Sequence, residues 1–133
     1  MKFSTRTTYG LRAMINLSNY WNKEKVSLSK IAKDEDISPK YLERLFSRLK
    51  KSGLVVAEKG ATGGYALAMD PKDITIFDIV KSLEGKMSPF HCVDESGKIY
   101  CGKDCKCGAT LVLVKVQKAI NDTLKGIKLK DLI

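Results

Sequence analysis

The chain is short of several features that would widen its possible roles. It carries one histidine, His91, in 133 residues, and no Ser–His–Asp set can be assembled around it. No apolar run approaches the roughly 20 residues of a membrane helix. The opening stretch Met1-Lys2-Phe3-Ser4-Thr5-Arg6-Thr7-Thr8 lacks the apolar centre of a secretory signal. A cytoplasmic protein without membrane contact is therefore expected, with its thiols kept reduced. Internal repeats and low-complexity tracts are absent. The glycine stretch Gly60-Ala61-Thr62-Gly63-Gly64 has no Lys-Ser/Thr ending and opens no helix, which excludes a P-loop. These absences predict no enzyme.

Acidic residues are also in deficit. The chain has 15 Asp or Glu against 24 Lys or Arg, a net charge of +9. Residues 1–60 hold 13 basic against 6 acidic residues, a net of +7, while residues 61–133 hold 11 against 9, a net of +2. Most of the excess lies in one half, which points to a polyanion partner for that half. A membrane surface is disfavoured, because no basic amphipathic segment has an exposed aromatic face.

What that half contains is specific. Ser27 is placed to cap a short helix through Ile31 and Ala32, and Glu35-Asp36-Ile37 reads as a tight turn. Ser38 is a good N-cap and Pro39 suits the first helical position. Leu42, Leu45, Phe46 and Leu49 then recur at helical spacing, leaving Lys40, Tyr41, Arg44, Arg48 and Lys51 on the opposite face. Short helix, turn and capped helix form a helix-turn-helix, whose second helix reads a major groove. Two short strands follow, Leu54–Val56 and Tyr65–Leu67. Between them Glu58-Lys59-Gly60-Ala61-Thr62-Gly63-Gly64 makes a glycine-rich tip able to approach another surface closely. A hairpin directly after a recognition helix is the wing of a winged helix.

The rest of the chain completes the frame. Residues 5–21 suit an N-terminal helix with Tyr9, Ala13, Leu17 and Tyr20/Trp21 inward, and Arg6 and Arg12 turned out toward phosphates. Thr75 and Asp78 form a capping box for a helix carrying Ile76, Ile79, Val80 and Leu83, closed by Gly85. From Ala109 to Leu124 a helix roughly 24 Å long is apolar on two sides. One stripe (Leu113, Val116/Gln117, Ile120, Leu124) faces its own domain. A second (Val112, Val116, Ala119) is a candidate dimer seam. The fold class expected is mainly α with a small β-hairpin, a winged helix-turn-helix plus a long C-terminal dimerisation helix. The divisions are a DNA-binding domain over 1–85, a cysteine-rich loop over 86–108 and a dimerisation segment over 109–133.

Cys92, Cys101, Cys105 and Cys107 all fall in that loop, spaced C-x8-C-x3-C-x-C. The C-x2-C pair of a zinc knuckle is missing, which disfavours zinc. Iron–sulfur clusters accept irregular loops, because thiolates need only converge on the irons. Lys98, Lys103 and Lys106 can offset their charge, and Gly102 and Gly108 let the chain turn so that Cys105 and Cys107 face one cluster. A thiol redox switch without metal stays open beside the cluster, as does zinc. His91 and Asp104 read as exposed loop residues before they read as ligands.

Together these residues resemble the Rrf2 family of winged-helix transcription regulators. The likeness rests on Thr8-Tyr9-Gly10-Leu11-Arg12-Ala13-Met14, Ile37 to Phe46, Gly60-Ala61-Thr62-Gly63-Gly64-Tyr65, the cysteine loop and Ile127-Lys128-Leu129-Lys130-Asp131-Leu132, and so spans nearly the whole chain. It implies a homodimer, crossing through the helix at about 109–124, on a palindromic site in double-stranded DNA. Lys40, Tyr41, Glu43 and Arg44 match the family's major-groove positions, and Lys59 with Gly60 to Gly64 matches its minor-groove wing. The expected DNA-contacting set is Arg6, Ser38, Lys40, Tyr41, Glu43, Arg44, Arg48, Lys51, Lys59, Gly60, Thr62, Gly63, Gly64 and Tyr65. Several members hold a cluster on three loop cysteines and a variable fourth ligand. Here Cys92, Cys101 and Cys107 match the three. The first interval is longer, with eight residues between Cys92 and Cys101 where matching members have five or six. Thr110 replaces one branch's histidine ligand, and Thr8 stands where another branch has an aspartate. Cys105 would compensate as fourth ligand. A [2Fe–2S] cluster is favoured over [4Fe–4S]. A cluster-free branch also exists, and Leu83 to Pro89 resembles it.

Overall fold

The computed structural model describes residues 3–61, 63–88, 90, 92–99 and 107–133. Among these residues, five helices and one hairpin are laid down in chain order: α1 (Thr5–Ser18), α2 (Leu28–Glu35), α3 (Pro39–Lys51), β1 (Val55–Glu58), β2 (Gly64–Leu67), α4 (Ile76–Glu84) and α5 (Gly108–Lys125). Short 3-10 turns cover Pro71–Asp73 and Leu129–Leu132. The mainly helical class with one hairpin is thus as the sequence predicts.

Local signals set most boundaries. The Ser27 hydroxyl accepts from the Lys30 N–H at 3.2 Å and starts α2. The capping box of α4 is complete, with Asp78 N–H donating to Thr75 Oγ1 and Thr75 N–H to Asp78 Oδ2, both at 3.0 Å. Gly85 closes α4 at φ +79°. The first helix stops three residues earlier than its apolar pattern suggests. Ser18 Oγ and Asn19 Nδ2 both donate to the Ile15 carbonyl, and the chain turns through Asn22 at φ +60°.

One core joins the first four helices and the hairpin. Ala13, Met14, Leu17, Ile31, Leu42, Phe46, Leu49, Ile79 and Leu83 lie within it, nearly or fully buried. Burying side chains such as Phe46 or Leu42 contributes about 1.5–3 kcal/mol each, which is what holds these short helices in place. The C-terminal segment comes back to this core. Ile76 N–H donates to Ile127 O and Leu129 N–H to Ile74 O, both at 2.9 Å, and Leu129 is fully buried.

Helix α1 begins on a borrowed cap. The Ser4 side chain makes no cap hydrogen bond of its own. Instead Glu84 Oε1, at the end of α4, accepts from Ser4 N–H at 2.9 Å and from Ser4 Oγ and Thr7 Oγ1 at 2.5 Å. A carboxylate at a helix N-terminus complements the dipole there.

Candidate nucleic-acid interface and cysteine loop

The turn before α3 is built to present it. Asp36 adopts the left-handed conformation (φ 53°, ψ 53°), and its N–H bonds back to the end of α2. Ile37 N–H reaches Ala32 O at 2.9 Å while its side chain is buried, so α3 leaves at a fixed angle. Ser38 Oγ then accepts from Tyr41 N–H at 3.4 Å, a long bond, and Pro39 takes the first helical position. The outer face of α3 exposes Lys40, Glu43, Arg44, Ser47, Arg48 and Lys51. Among the described residues Lys40, Arg44 and Lys51 make no ion pair, nor does Lys59 on the hairpin. All four cations are exposed.

Tyr41 and Arg48 of the expected set have internal work. Tyr41 is half-buried, its ring edge-on to Tyr9 at 5.9 Å and its hydroxyl 3.4 Å from Thr5 Oγ1, so it braces α3 against α1. Arg48 donates from Nη1 to Leu83 O at 3.2 Å and ties α3 to the end of α4. Arg12 and Arg6 also differ from the outward placement expected. Arg12 bonds Glu35 through both its side-chain carboxylate (3.2 Å) and its carbonyl, and lies over the Tyr9 ring. Arg6 sits 3.7 Å from Glu84 Oε2 with its Nε buried. Carboxylates on α4 and α2 thus hold Arg6 and Arg12 against the protein, contacts that helical periodicity does not reveal.

The hairpin pairs Val55 with Leu67 through Glu58 with Gly64, leaving Lys59, Gly60, Ala61 and Gly63 of the described residues at the tip. Val26 bridges Tyr65 on the far side of β2, with Tyr65 N–H to Val26 O at 2.8 Å and Val26 N–H to Tyr65 O at 2.9 Å. Gly64 is forced there: it has φ +156°, and a Cβ on it would lie 2.7 Å from Val26 O. Tyr65 stacks edge-on against Phe46 at 4.9 Å, so the tip is hinged on the core that carries the recognition helix. Lys25 pairs with Glu58, at the end of β1 next to the tip.

The cysteine loop is described in part. Thr62, His91, Cys101, Cys105, Asp104, Gly102, Lys103 and Lys106 lie outside the described residues. Cys92 and Cys107 are half-exposed and free of disulfide. Cys107 is the N-cap of α5, and its carbonyl accepts from Thr110 N–H (3.1 Å) and Thr110 Oγ1 (2.7 Å). Thr110, where one branch of the resembling family has a ligand, is buried and committed to that turn. Cys92 precedes Val93, which is buried and bridges Ile99. Among the described residues no three His, Cys, Asp or Glu side chains converge as metal ligands. The donor chemistry nevertheless fits a cluster: two unpaired thiols bracket the segment that carries the other two, and one of them sits at the positive end of a helix.

On α5, Leu111 and Val112 are 69% and 60% exposed. Val116, Ala119, Ile120, Thr123 and Leu124 line an open groove of about 330 Å³ with Phe3. Sequence periodicity did not anticipate that Gln117, on the inward stripe, is fully buried and hydrogen-bonded to the Met87 carbonyl. No helix among the described residues is long and apolar enough to cross a membrane.

Comparison with known proteins gives concordant results. The model of the Rrf2 family, described as iron-dependent transcriptional regulators, matches residues 3–133. Protein rrf2 of Nitratidesulfovibrio vulgaris is 34% identical over 133 residues, covering 100% of this chain and 87% of that protein. The structure of CymR, the global cysteine regulator of Bacillus subtilis, superposes with a TM-score of 0.83 at 34% identity, covering 99% of this chain and 95% of that one. T. potens IscR superposes with a TM-score of 0.81 at 37% identity, covering 99% and 85%.

Proposed function

The chain belongs to the Rrf2 family of DNA-binding, winged-helix transcription regulators rather than to any enzyme family, and on that premise we propose that it acts as a homodimer whose DNA binding is set by a cysteine-ligated iron–sulfur cluster. Residues 1–85 are the DNA-reading unit. Lys40, Tyr41, Glu43 and Arg44 face the major groove, Lys59 and the glycine tip enter the minor groove, and Arg48 and Lys51 lie toward the backbone. Cys92, Cys101 and Cys107 hold the cluster, with Cys105 as fourth ligand, and [2Fe–2S] is favoured over [4Fe–4S]. When bound, the cluster supplies a redox-responsive and nitric-oxide-responsive centre.

One observation carries this reading: Cys107 is at once a loop thiol and the N-cap of α5. A cluster held there would have one ligand, Cys107, at the first turn of the helix that bears the exposed Leu111 and Val112. If two chains pair through that face, the spacing of their recognition helices follows from it. Half-sites repeat at about 34–36 Å, so a small shift alters affinity. Iron and acid-labile sulfide analysis of anaerobically purified protein, with its visible spectrum, tests the reading. Thiolate-to-iron charge-transfer absorption is the expected result, and colourless, iron-free protein would sink the cluster.

The second reading is a cluster-free regulator that responds to thiol oxidation or to a metabolic partner protein. The high superposition on CymR favours it. It keeps the homodimer and the DNA surface, and the same iron and sulfide measurement separates the two.

A further inference from the structure

We propose that Gln117 and Asn121 are positioning residues for Cys92, an amide clamp that fixes the Cys92 limb of the cysteine loop onto α5. The inference deepens the sensing role above and rests on it for its biological meaning, although the clamp itself needs no metal. Gln117 Nε2 donates to Met87 O at 3.0 Å and to Asn121 Oδ1 at 3.1 Å. Asn121 Nδ2 donates onward to Glu95 O at 2.8 Å. The two amides stand one helical turn apart on one face of α5. They grip the loop backbone five residues before Cys92 and three residues after it. The interval between the grips is braced from within by Ser88 Oγ, which donates to Val93 O and accepts from Phe90 N–H (3.3 Å), and from α4 by the Lys81–Glu95 pair at 3.2 Å.

Packing does not explain an amide at position 117. The residue is fully buried on the inward stripe of α5, where an apolar side chain of the same volume would fill the space. Among the described residues Gln117 Oε1 has no hydrogen-bond partner. What Gln117 supplies is one bond that joins loop to helix, to Met87 O, and one that orients Asn121, whose own amide makes the second such bond, to Glu95 O. A limb held this way presents the Cys92 sulfur in a fixed place. Any displacement of that sulfur is felt in the middle of α5, at a second point besides the Cys107 cap.

The test uses the full chain, reduced and free of iron, and N-ethylmaleimide as probe, with alkylation of each cysteine followed by mass spectrometry. In Gln117→Met and Asn121→Leu the Cys92:Cys107 rate ratio should rise at least about fivefold, because local opening of the limb becomes easier while the α5 cap is untouched. Lys118→Ala, on the exposed face where Lys118 pairs with Asp122, should stay within about twofold of wild type. Hydrogen exchange over residues 113–121 should respond to Cys92 alkylation in the wild type and lose that response in both variants. An unchanged ratio in the variants, an equal rise in Lys118→Ala, or an α5 indifferent to Cys92 alkylation overturns the clamp. Should Gln117→Met fail to fold, Asn121→Leu, at a half-buried position, decides alone. Absence of iron and sulfide from the wild type would defeat the cluster reading and leave the alkylation ratio to judge the clamp.

Discussion

Gly10 is buried where α1 crosses α4, and a Cβ there would come within 2.2 Å of Leu83 Cδ1. Leu83 is itself fully buried, so it has nowhere to retreat. Gly10→Ala sets a gain in helix propensity of about 1 kcal/mol against overpacking of about 1–3 kcal/mol, and the second should win. A lowered thermal midpoint is expected, with Gly10→Val lower still. The same seam has an acid-sensitive end at Glu84. Burial works against its carboxylate, but hydrogen bonds from Ser4 Oγ, Thr7 Oγ1 and Ser4 N–H, with the charge of Arg6, outweigh that and hold its pKa below the ordinary glutamate value. A depressed folded pKa gives stability that is present above the unfolded value of about 4.3 and is lost as pH falls through the folded one. Urea denaturation at pH 6 and pH 3.5 should show this loss in the wild type. Glu84→Gln, already without the charge, should show a smaller difference between the two conditions.

At the scale of elements, helix starts differ in strength in a way the caps foretell. Thr75 and Asp78 make a reciprocal pair at 3.0 Å, whereas Ser38 makes one bond at 3.4 Å. Thr75→Ala should therefore cost about 1–2 kcal/mol and Ser38→Ala about 0.5 kcal/mol, measured by chemical denaturation; equal losses would contradict the ranking. The hairpin yields a different observable. Lys59→Ala should weaken duplex binding and make log affinity less steep against log salt by about one phosphate equivalent, and an unaltered slope would remove Lys59 from the interface. Caps, turns and apolar stripes are local, which is why Ser27, Ser38, Thr75, Gly85 and the two inward faces of α3 and α4 were legible in the sequence. The fate of a charged or amide side chain is not local. Arg6, Arg12 and Arg48 meet Glu84, Glu35 and Leu83 O only once distant helices pack. Gln117 looked like one member of an apolar stripe, because nothing near it in the chain announces the Met87 and Glu95 carbonyls.

For the molecule as a whole, the strongest consequence concerns how two DNA-reading units are joined. A single winged helix offers Lys40, Arg44, Lys51 and Lys59 as exposed cations, a small number of phosphate contacts. In the proposed homodimer, affinity at physiological salt would depend on a second unit bound to the same duplex, since linkage turns the second contact into an intramolecular one. In the proposed homodimer that joining is assigned to the face of α5 that carries Leu111 and Val112, an exposed apolar surface continuous in sequence with the groove at Val116, Ala119 and Ile120. Val112→Asp places a charge in the centre of such a seam without touching the buried side of the helix, where Gln117 lies. Light scattering should show the variant as a monomer with wild-type helicity. Its affinity for a palindromic duplex should fall about 100-fold or more, while its affinity for one isolated half-site stays within about threefold. A variant that remains dimeric, or one that loses half-site binding to the same degree, would show that α5 does not join the two units.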